Sequence, residues 1–406
     1  MQDPHAQLFS LALGLQLPWQ VEKVEFTAAD KQLVLTLGFN KGSRFPCPKC
    51  QSLCGIYDTV ERTWRHLDFF QHQCYLYAKV PRVECPKHGV LQVIVPWSRP
   101  KSGFTLLFEA FILTLTKQMP IRAVANLVRE HDTRIWRILS RYVAEARNYR
   151  SDANVQAVGV DETASKRGHK YITLFVDLDA SRLLFATPGK SKDTISAFSD
   201  DLINHQGNPN QIVTVCSDLS PAFISGVKTY LPNAELTYDR FHLIKIINQA
   251  LDLVRRQESR FNRNLKGSRY LWLRNPNDLR QAQLEQLTQL SKQYSKTARA
   301  YKLKIAFQEL FHQEHRLAGE AFLFKWYNWA IRSRLKPMIE VARTVKRHWN
   351  GILNWFDSKV SNGILEGLNS LVQAARSRAR GYRSDYNFIT ICYLIAGKLD
   401  LPTHTV

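Results

Sequence analysis

The sequence predicts an α/β multidomain protein, and three observations predict it. Five of seven cysteines crowd between residues 47 and 85, among strand-like stretches. A pair of short amphipathic helices follows. From residue 155, strand-like segments alternate with helical ones and then give way to a long basic helical region. A chain of 406 residues allows two to four folded units at roughly 100–200 residues each. Hydrophobic residues at 45% and aromatics at 11% supply real cores, which excludes wholesale disorder.

Charge and cysteine usage narrow the class further. Lys+Arg number 56 against 35 Asp+Glu, a formal net charge of +21, so a polyanionic partner is expected. The longest apolar stretch, Phe104 to Thr116, contains Glu109 and is too short to span a bilayer. Asp3 and the absence of a basic n-region over Met1–Pro18 argue against a secretory signal. An odd number of cysteines, mostly in one cluster, suits metal binding in a reducing cytosol better than a disulfide framework. A cytoplasmic location is therefore expected.

Gln20–Phe26 and Gln32–Phe39 read as a hairpin about the turn-prone Thr27–Asp30, and Thr63–Val83 is strand-rich. Pro96, Pro100 and Gly103 punctuate a boundary. Beyond it, Ile121, Val124, Ala125 and Val128 follow helical spacing, as do Ile135, Ile138, Leu139 and Tyr142. Asp132 is the expected N-cap of the second helix. Val155–Val160, Tyr171–Leu178, Arg182–Thr187 and Gln211–Ser217 read as strands, and Asp193–His205 and Ala222–Leu231 as helices. Phe241 to Phe356 reads as helical, with 21 Lys+Arg and 8 Asp+Glu over residues 251–350. Ser361 to Gly397 is helical again. The expected domains are residues 1–100 (hairpin and zinc-binding module), 101–150 (helix-turn-helix), 151–245 (α/β core, first part), 246–355 (basic helical insertion) and 356–406 (C-terminal helices of the core).

Cys47-Pro48-Lys49-Cys50 and Cys85-Pro86-Lys87-His88 each set two ligands two residues apart. Such a pair places two donors on one tight turn, and two turns close a tetrahedral zinc site. The bland alternative is small buried thiols beside a surface histidine, and Cys54, His66, His72 and Cys74 compete as ligands. Four protein ligands leave no open position, so this zinc would be structural, in a ribbon-like module. On the second short helix, Arg134, Arg137 and Arg141 lie opposite the apolar stripe. That suits a helix-turn-helix whose second helix meets DNA, although an ordinary hairpin with a solvated basic face would share the pattern.

The acidic residues carry the chemistry. Val155–Val160 is expected to end at Asp161-Glu162, and Gln211–Ser217 at Asp218; carboxylates at the ends of neighbouring parallel strands converge where α/β sheets place ligands. On Ser361–Arg378, Leu365, Leu368, Leu371, Val372 and Ala375 form the expected buried face, and Glu366, Asn369, Ser370 and Gln373 a polar one. Three carboxylates can hold two Mg²⁺ or Mn²⁺ ions, which prefer oxygen ligands and clamp both ends of a phosphoryl displacement. Alternatively, Asp161 and Asp218 cap helices and Glu366 is a surface residue. Asp177, Asp179 and Asp239 are expected to be structural, and His242 to assist proton transfer, contact DNA or simply hold the fold. Arg376, Arg378, Arg380 and Arg383, with residues 251–350, are expected to line a DNA path.

Several blocks occur together and in order. They are Gly159-Val160-Asp161-Glu162, Lys166-Arg167-Gly168-His169-Lys170-Tyr171, Ser217-Asp218-Leu219-Ser220-Pro221-Ala222-Phe223, Tyr238-Asp239-Arg240-Phe241-His242, Ser361-Asn362-Gly363-Ile364-Leu365-Glu366-Gly367-Leu368-Asn369 and Ala379-Arg380-Gly381-Tyr382-Arg383. Over nearly its whole length the chain resembles the bacterial insertion-sequence transposases of the ISL-three family, in the DDE superfamily. The resemblance implies a ribonuclease-H-like core with Asp161, Asp218 and Glu366 as its metal-binding catalytic triad. It also implies an all-α insertion within the 148 residues from Asp218 to Glu366.

The expected function is DNA transposition: binding of element ends, metal-dependent cleavage to a 3′-OH, and joining of that hydroxyl to target DNA. Partners are element ends, target DNA and a second copy of the chain, in a nucleoid-associated complex. A tyrosine or serine recombinase finds no nucleophile grouped with arginines here, and none of the 12 histidines has the His-hydrophobic-His spacing of a nickase. The remaining rival is a non-catalytic DNA-binding regulator derived from a transposase, using zinc and the helix-turn-helix alone.

Overall fold

The computed structural model describes residues 4–402 apart from Arg167, His169 and 360–362. Arg167, His169, Ser361 and Asn362 of the blocks above therefore lie outside the described residues. The chain divides into two compact units, Met1–Tyr142 with Asp400–Val406, and Val143–Leu399.

In the first unit, α1 (Pro4–Ala12) precedes β1 (Trp19–Thr27) and β2 (Gln32–Phe39), which form the expected antiparallel hairpin. Sequence reading missed α1, whose nine residues are short of the length at which helical periodicity is legible. The two-stranded ribbon β3 (Phe45–Pro46) and β4 (Leu53–Cys54) follows, then β5 (Ile56–Arg65), β6 (Gln73–Cys85) and β7 (Gly89–Gln92). The main sheet runs β1-β2-β6-β5 with β7 on β6, and β2 and β6 are parallel. Alternation along β2 and β6 buries Leu33, Leu35, Leu37, Leu76, Ala78 and Val80. Trp97 packs edge-on against Trp19 and Trp64, at 4.9 and 5.5 Å.

Three helices follow: α2 (Leu106–Gln118), α3 (Ile121–Val128) and α4 (Asp132–Asn148), the last continuing past Tyr142. Thr105 caps α2 by accepting the Phe108 N–H at 3.3 Å. Glu109, wholly buried in that apolar helix, is held by Arg99 (2.8 Å), Ser102 (2.7 Å) and the Tyr142 hydroxyl (2.7 Å); a buried carboxylate needs such partners. The stripes predicted on α3 and α4 are buried, with Tyr142 half-buried. Asp132 begins α4 rather than capping it. His131 does the capping: its carbonyl accepts from Arg134 and its Nδ1 from Thr133 N–H (3.3 Å).

The second unit is built on a five-stranded sheet, β8 (Ala157–Lys166), β9 (Lys170–Asp177), β10 (Arg182–Pro188), β11 (Thr214–Ser217) and β12 (Glu235–Tyr238), in the order β10-β9-β8-β11-β12. The first three form an antiparallel meander; β11 and β12 run parallel to β8. Helix α5 (Lys192–Asn204) connects β10 to β11 and α6 (Pro221–Tyr230) connects β11 to β12. Val158, Val160 and Phe175 share one core with Ile195 and Phe198 of α5 and Phe223 and Val227 of α6. The short strand β12 was not foreseen, four residues being too few to show alternation.

After β12 the chain leaves the sheet as a helical region: α7 (Arg240–Ser259), α8 (Arg269–Leu273), α9 (Gln281–Gln293), α10 (Ser295–Gln308), α11 (Arg316–Ile331), α12 (Lys336–Arg347), α13 (Trp349–Leu353) and α14 (Trp355–Ser358). It has its own core, including Leu251, Trp272, Leu303, Phe307, Trp326 and Met338. Buried Lys304 donates to the Leu273 and Arg274 carbonyls and to Asn275 Oδ1, at 2.7–3.2 Å, and burial drops its pKa to about 8. The region returns to where it left: Asn354 Nδ2 donates to the Leu236 carbonyl (3.0 Å), and Gly351 lies against the Tyr238 ring, where a Cβ would come to 2.2 Å. Finally α15 (Gly363–Arg378) and α16 (Asp385–Ala396) pack on the sheet. On α15, Leu365 and Val372 are buried but Leu371 is 46% exposed, so the expected apolar face is narrower than its five residues.

Candidate active site and candidate metal site

Asp161 does not end its strand, because β8 continues to Lys166. What ends there is the parallel pairing: β11 meets β8 only from Ala157 to Gly159, and beyond that β8 is paired with β9 alone. Asp161 thus still lies at the open C-terminal edge of the parallel strands. Alternation along β8 turns Gly159, Asp161 and Thr163 toward α15. Leu365 closes on Gly159, where a Cβ would come to 2.6 Å of it, so only glycine lets α15 approach this closely. Asn369 then donates to Asp161 Oδ2 (3.0 Å) and accepts from the Thr163 hydroxyl (2.6 Å). One turn on, Gln373 donates to Thr163 and to the Ala164 carbonyl, and Arg376 donates to Gln373 (2.9 Å). The polar face read from the sequence is therefore a hydrogen-bonded ladder that carries Glu366 to the edge of the sheet.

Asp218 directly follows β11, and its Oδ1 accepts the Ser220 N–H at 2.9 Å. Asp239 sits beside it, because Ser217 pairs with Tyr238 and the Asp239 N–H bonds the Ser217 carbonyl (3.1 Å). Asp239 is 4% exposed and makes two bonds: Oδ1 accepts from Phe241 N–H (3.0 Å), capping α7, and Oδ2 pairs with His242 Nδ1 (2.8 Å). Burial raises the Asp161 carboxyl above its ordinary pKa, hydrogen bonds from Glu162 and Asn369 oppose this, and Asp218 adds to it. Glu366, exposed on α15, is raised by desolvation and by Asp239. The His242 imidazole is raised by its bond to Asp239, with Asp218 and Asp161 contributing. Asp161 is thus coupled to Asp218 and His242, and Glu366 to Asp239 and His242, but the triad carboxylates do not form a set with all ligand atoms within 4.8 Å. Asp177 is structural: it accepts from the Asp179 and Ala180 N–H groups and pairs with Arg182. The donor set, hard oxygens with no lysine or arginine paired to Asp161, Asp218 or Glu366 among the described residues, fits divalent cations.

In the first unit, Cys47, Cys50, Cys85 and His88 bring their ligand atoms within 4.8 Å of one another. Cys50 Sγ lies 3.6 Å from Cys85 Sγ, and His88 Nδ1 lies 3.7 and 3.6 Å from the sulfurs of Cys47 and Cys85. A tetrahedron with Zn–S of about 2.3 Å and Zn–N of about 2.0–2.1 Å has edges of about 3.6–3.8 Å, so the set fits zinc. Local turns build it. Cys47 N–H bonds Ser52 O and Gln51 N–H bonds Cys47 O, both at 2.9 Å, with Gln51 and Gly89 at positive φ. The Ser52 hydroxyl and backbone lower the Cys50 thiol to about 6, toward the thiolate a metal needs. The competing residues are engaged elsewhere: Cys54 with the Ser52 carbonyl, His66 with Thr105, His72 against the Phe26 ring. Cys74 is buried, which pushes its pKa up to about 12.

The arginines differ among themselves. Arg134 pairs with Glu130 and lies over the Phe104 ring at 4.1 Å, whereas Arg137 and Arg141 are exposed on α4. Arg376, Arg380 and Arg383, with Lys166, Ser165 and Tyr382, line a cavity of about 880 Å³ beside the β8–α15 ladder. Arg378 is exposed on α15.

Known proteins resemble the chain in each of these segments. Residues 158–392 match an ISL3 family model described as a transposase, residues 93–143 the helix-turn-helix domain of transposase family ISL3, and residues 43–88 the zinc-finger of the IS204, IS1001, IS1096 and IS1165 transposases. The transposase for insertion sequence element IS1557 of Mycobacterium tuberculosis (strain H37Rv) is 30% identical over 426 residues, covering 96% of this chain and 95% of the relative. The transposase for IS1001 of Bordetella parapertussis is 27% identical over 358 residues, covering 85% and 87%. The class is thus a transposase with zinc-finger and helix-turn-helix segments. The chain belongs to the ISL3 family of insertion-sequence transposases.

Proposed function

We propose that the chain binds the ends of its insertion sequence, cleaves DNA to leave 3′-OH groups, and joins them to target DNA by metal-dependent phosphoryl transfer. Asp161, Asp218 and Glu366 would hold two Mg²⁺ or Mn²⁺ ions, which activate the attacking oxygen and stabilise the leaving one. What supports the reading is an Asp on β8 hydrogen-bonded to α15, an Asp just past the neighbouring parallel strand β11 and a Glu on α15, none paired to a lysine or arginine among the described residues. The strand order, an antiparallel meander followed by two parallel strands, supports a ribonuclease-H-like core interrupted by the helical region. Cys47, Cys50, Cys85 and His88 would hold one structural zinc. Arg137 and Arg141 would meet DNA from the helix-turn-helix, and Arg376, Arg378, Arg380 and Arg383 would neutralise phosphates beside the triad. The domain division given above (1–100, 101–150, 151–245, 246–355, 356–406) is part of the same reading, as is a homodimer assembled on DNA.

The test is nicking of a supercoiled plasmid carrying one element end, with Mg²⁺ or Mn²⁺. Asp218→Asn keeps the Oδ1 acceptor for Ser220 but loses the charge that holds a hard cation. Nicking should fall by about 10³-fold or more while end binding persists, and Asp179→Asn, on an exposed turn, should behave as wild type. Undiminished nicking by Asp218→Asn would leave the non-catalytic regulator as the better reading.

A further inference from the structure

Asp239 and His242 lie outside the three-carboxylate set yet face it. Asp239 follows β12 as Asp218 follows β11, on neighbouring parallel strands in register. It is almost wholly buried, and its two oxygens are committed to the Phe241 N–H and to His242 Nδ1. A carboxylate only accepts hydrogen bonds, so Nδ1 of His242 must carry the proton. The tautomer is thereby set, and the imidazole, on the first turn of α7, makes no hydrogen bond through Nε2 among the described residues. The ring is half-exposed, its side chain 33% accessible.

We propose that Asp239 and His242 form a proton-delivering pair at the carboxylate site, with Nε2–H of His242 protonating the 3′ oxygen that leaves when the phosphodiester is cut. The inference rests on the phosphoryl-transfer reading above. In that step a bond forms between phosphorus and the attacking water or 3′-hydroxyl oxygen. The bond from phosphorus to the departing O3′ breaks, its electron pair goes to O3′, and the Nε2 proton moves onto that oxygen. The attacking group's proton goes to solvent, and His242 regains one from solvent after each turnover.

The surroundings suit this role. A deoxyribose 3′-alkoxide is a poor leaving group at neutral pH, and a positioned acid contributes about 10²–10⁴-fold in such cases. The charged groups that act on His242 are acidic: Asp239 after β12, hydrogen-bonded to it, then Asp218 after β11 and Asp161 on β8, while Glu366 on α15 responds to it in turn. The three aspartates favour the imidazolium. The neighbouring cation, Arg240, is turned instead to the Phe241 and Phe311 rings at 5.8 and 5.7 Å. Asp239 acts through His242 and is a positioning residue.

The experiment uses the full chain and a duplex element end carrying a single 3′-bridging sulfur at the scissile phosphate, with Mn²⁺. A thiolate leaves without a proton. His242→Gln should slow cleavage of the all-oxygen substrate by about 10²-fold or more and cut the sulfur substrate at close to the wild-type rate. The wild-type rate should fall as pH rises through the elevated His242 pKa on oxygen, and that limb should be missing on sulfur. Asp239→Asn keeps an oxygen for the Phe241 N–H, and it should move the limb to lower pH because the charge that favours the imidazolium is gone. The position of that limb decides the matter if His242→Gln does not fold. Equal slowing of both substrates by His242→Gln, or an unmoved limb in Asp239→Asn, would overturn the proposal in favour of a phosphate contact or a packing role. Asp218→Asn serves as the reference: it should fail on both substrates, and if it cut both normally the phosphoryl-transfer reading would fall, whatever His242 does.

Discussion

At the cysteine knuckles, the ligand atoms of Cys47, Cys50, Cys85 and His88 lie within 4.8 Å of one another, whereas Asp161 on β8, Asp218 after β11 and Glu366 on α15 do not form such a set. Thiols and imidazole can crowd together while neutral, and each knuckle is a local turn whose backbone hydrogen bonds need no distant partner. Carboxylates repel, and burial penalises their charge. Their approach is held by outside contacts: Leu365 against Gly159, and Asn369, which reaches Asp161 across 208 residues of chain. The soft-ligand site thus joins two locally built turns, which meet across 35–41 residues, whereas the hard-ligand site depends on tertiary packing for every member.

The largest effect is expected at the knuckles. Cys85→Ser should take bound zinc from about one per chain to a small fraction of that, and lower the melting temperature of the first unit. Metal binding in isolated zinc modules is worth about 10–16 kcal/mol, so even partial loss is severe. Metal analysis and a calorimetric melt check it. Unchanged zinc content would mean that Cys54 or Cys74 had stepped in, and the comparison would break.

A middle-sized effect is expected at Asn369, which has no counterpart at the knuckles. Asn369→Ala removes the donor to Asp161 Oδ2 and the acceptor for Thr163. Cleavage should fall by about 10–100-fold, the usual cost of losing a group that orients a metal ligand, and the Mn²⁺ concentration needed for half-maximal rate should rise. A titration of rate against Mn²⁺ that matched wild type would show that the ladder merely packs α15.

The smallest effect sharpens the electrostatic side. Asp161 has a raised folded-state pKa, chiefly through burial. Its contribution to stability is therefore fully present below the ordinary carboxylate range and is lost as pH rises through the raised value. Without divalent cations, Asp161→Asn should raise the melting temperature at neutral pH by no more than about 4 °C. The gain should close as pH falls below the ordinary carboxylate range. Added Mn²⁺ should stabilise wild type and not the variant. A destabilised Asp161→Asn at neutral pH would mean that its bonds with Glu162 and Asn369 outweigh the buried charge.

Much of this was legible from residues alone, for identifiable reasons. Zinc knuckles announce themselves because ligand spacing and turn geometry are the same local fact. The stripes of α3 and α4 were legible because Ile121–Val128 and Ile135–Leu139 repeat at helical spacing, and the Asp-, Asp- and Glu-bearing blocks were legible through family resemblance. Other features were not. Sequence reading stopped the first strand at Asp161, because the polar Asp161-Glu162 looks like a terminus. The structure carries β8 through it, since β9 continues to pair there after β11 has stopped. Leu371 looked like core on α15, but the helix presents only a narrow apolar edge once Asn369 and Gln373 are turned to β8. Asp239 was expected to be structural, and it does cap α7 and hold His242; what no linear string shows is that it stands beside Asp218.

The sequence by itself determined which residue types are available, the zinc-knuckle turns, the helical periodicities and the basic balance, since each depends on neighbours within a few residues. Only tertiary structure decided that Gly159 admits Leu365, that Asn369 meets Asp161, and that Asp239, which holds His242, stands beside Asp218. Those contacts join positions far apart in the chain, and they depend on strand register and helix approach, which no local pattern encodes.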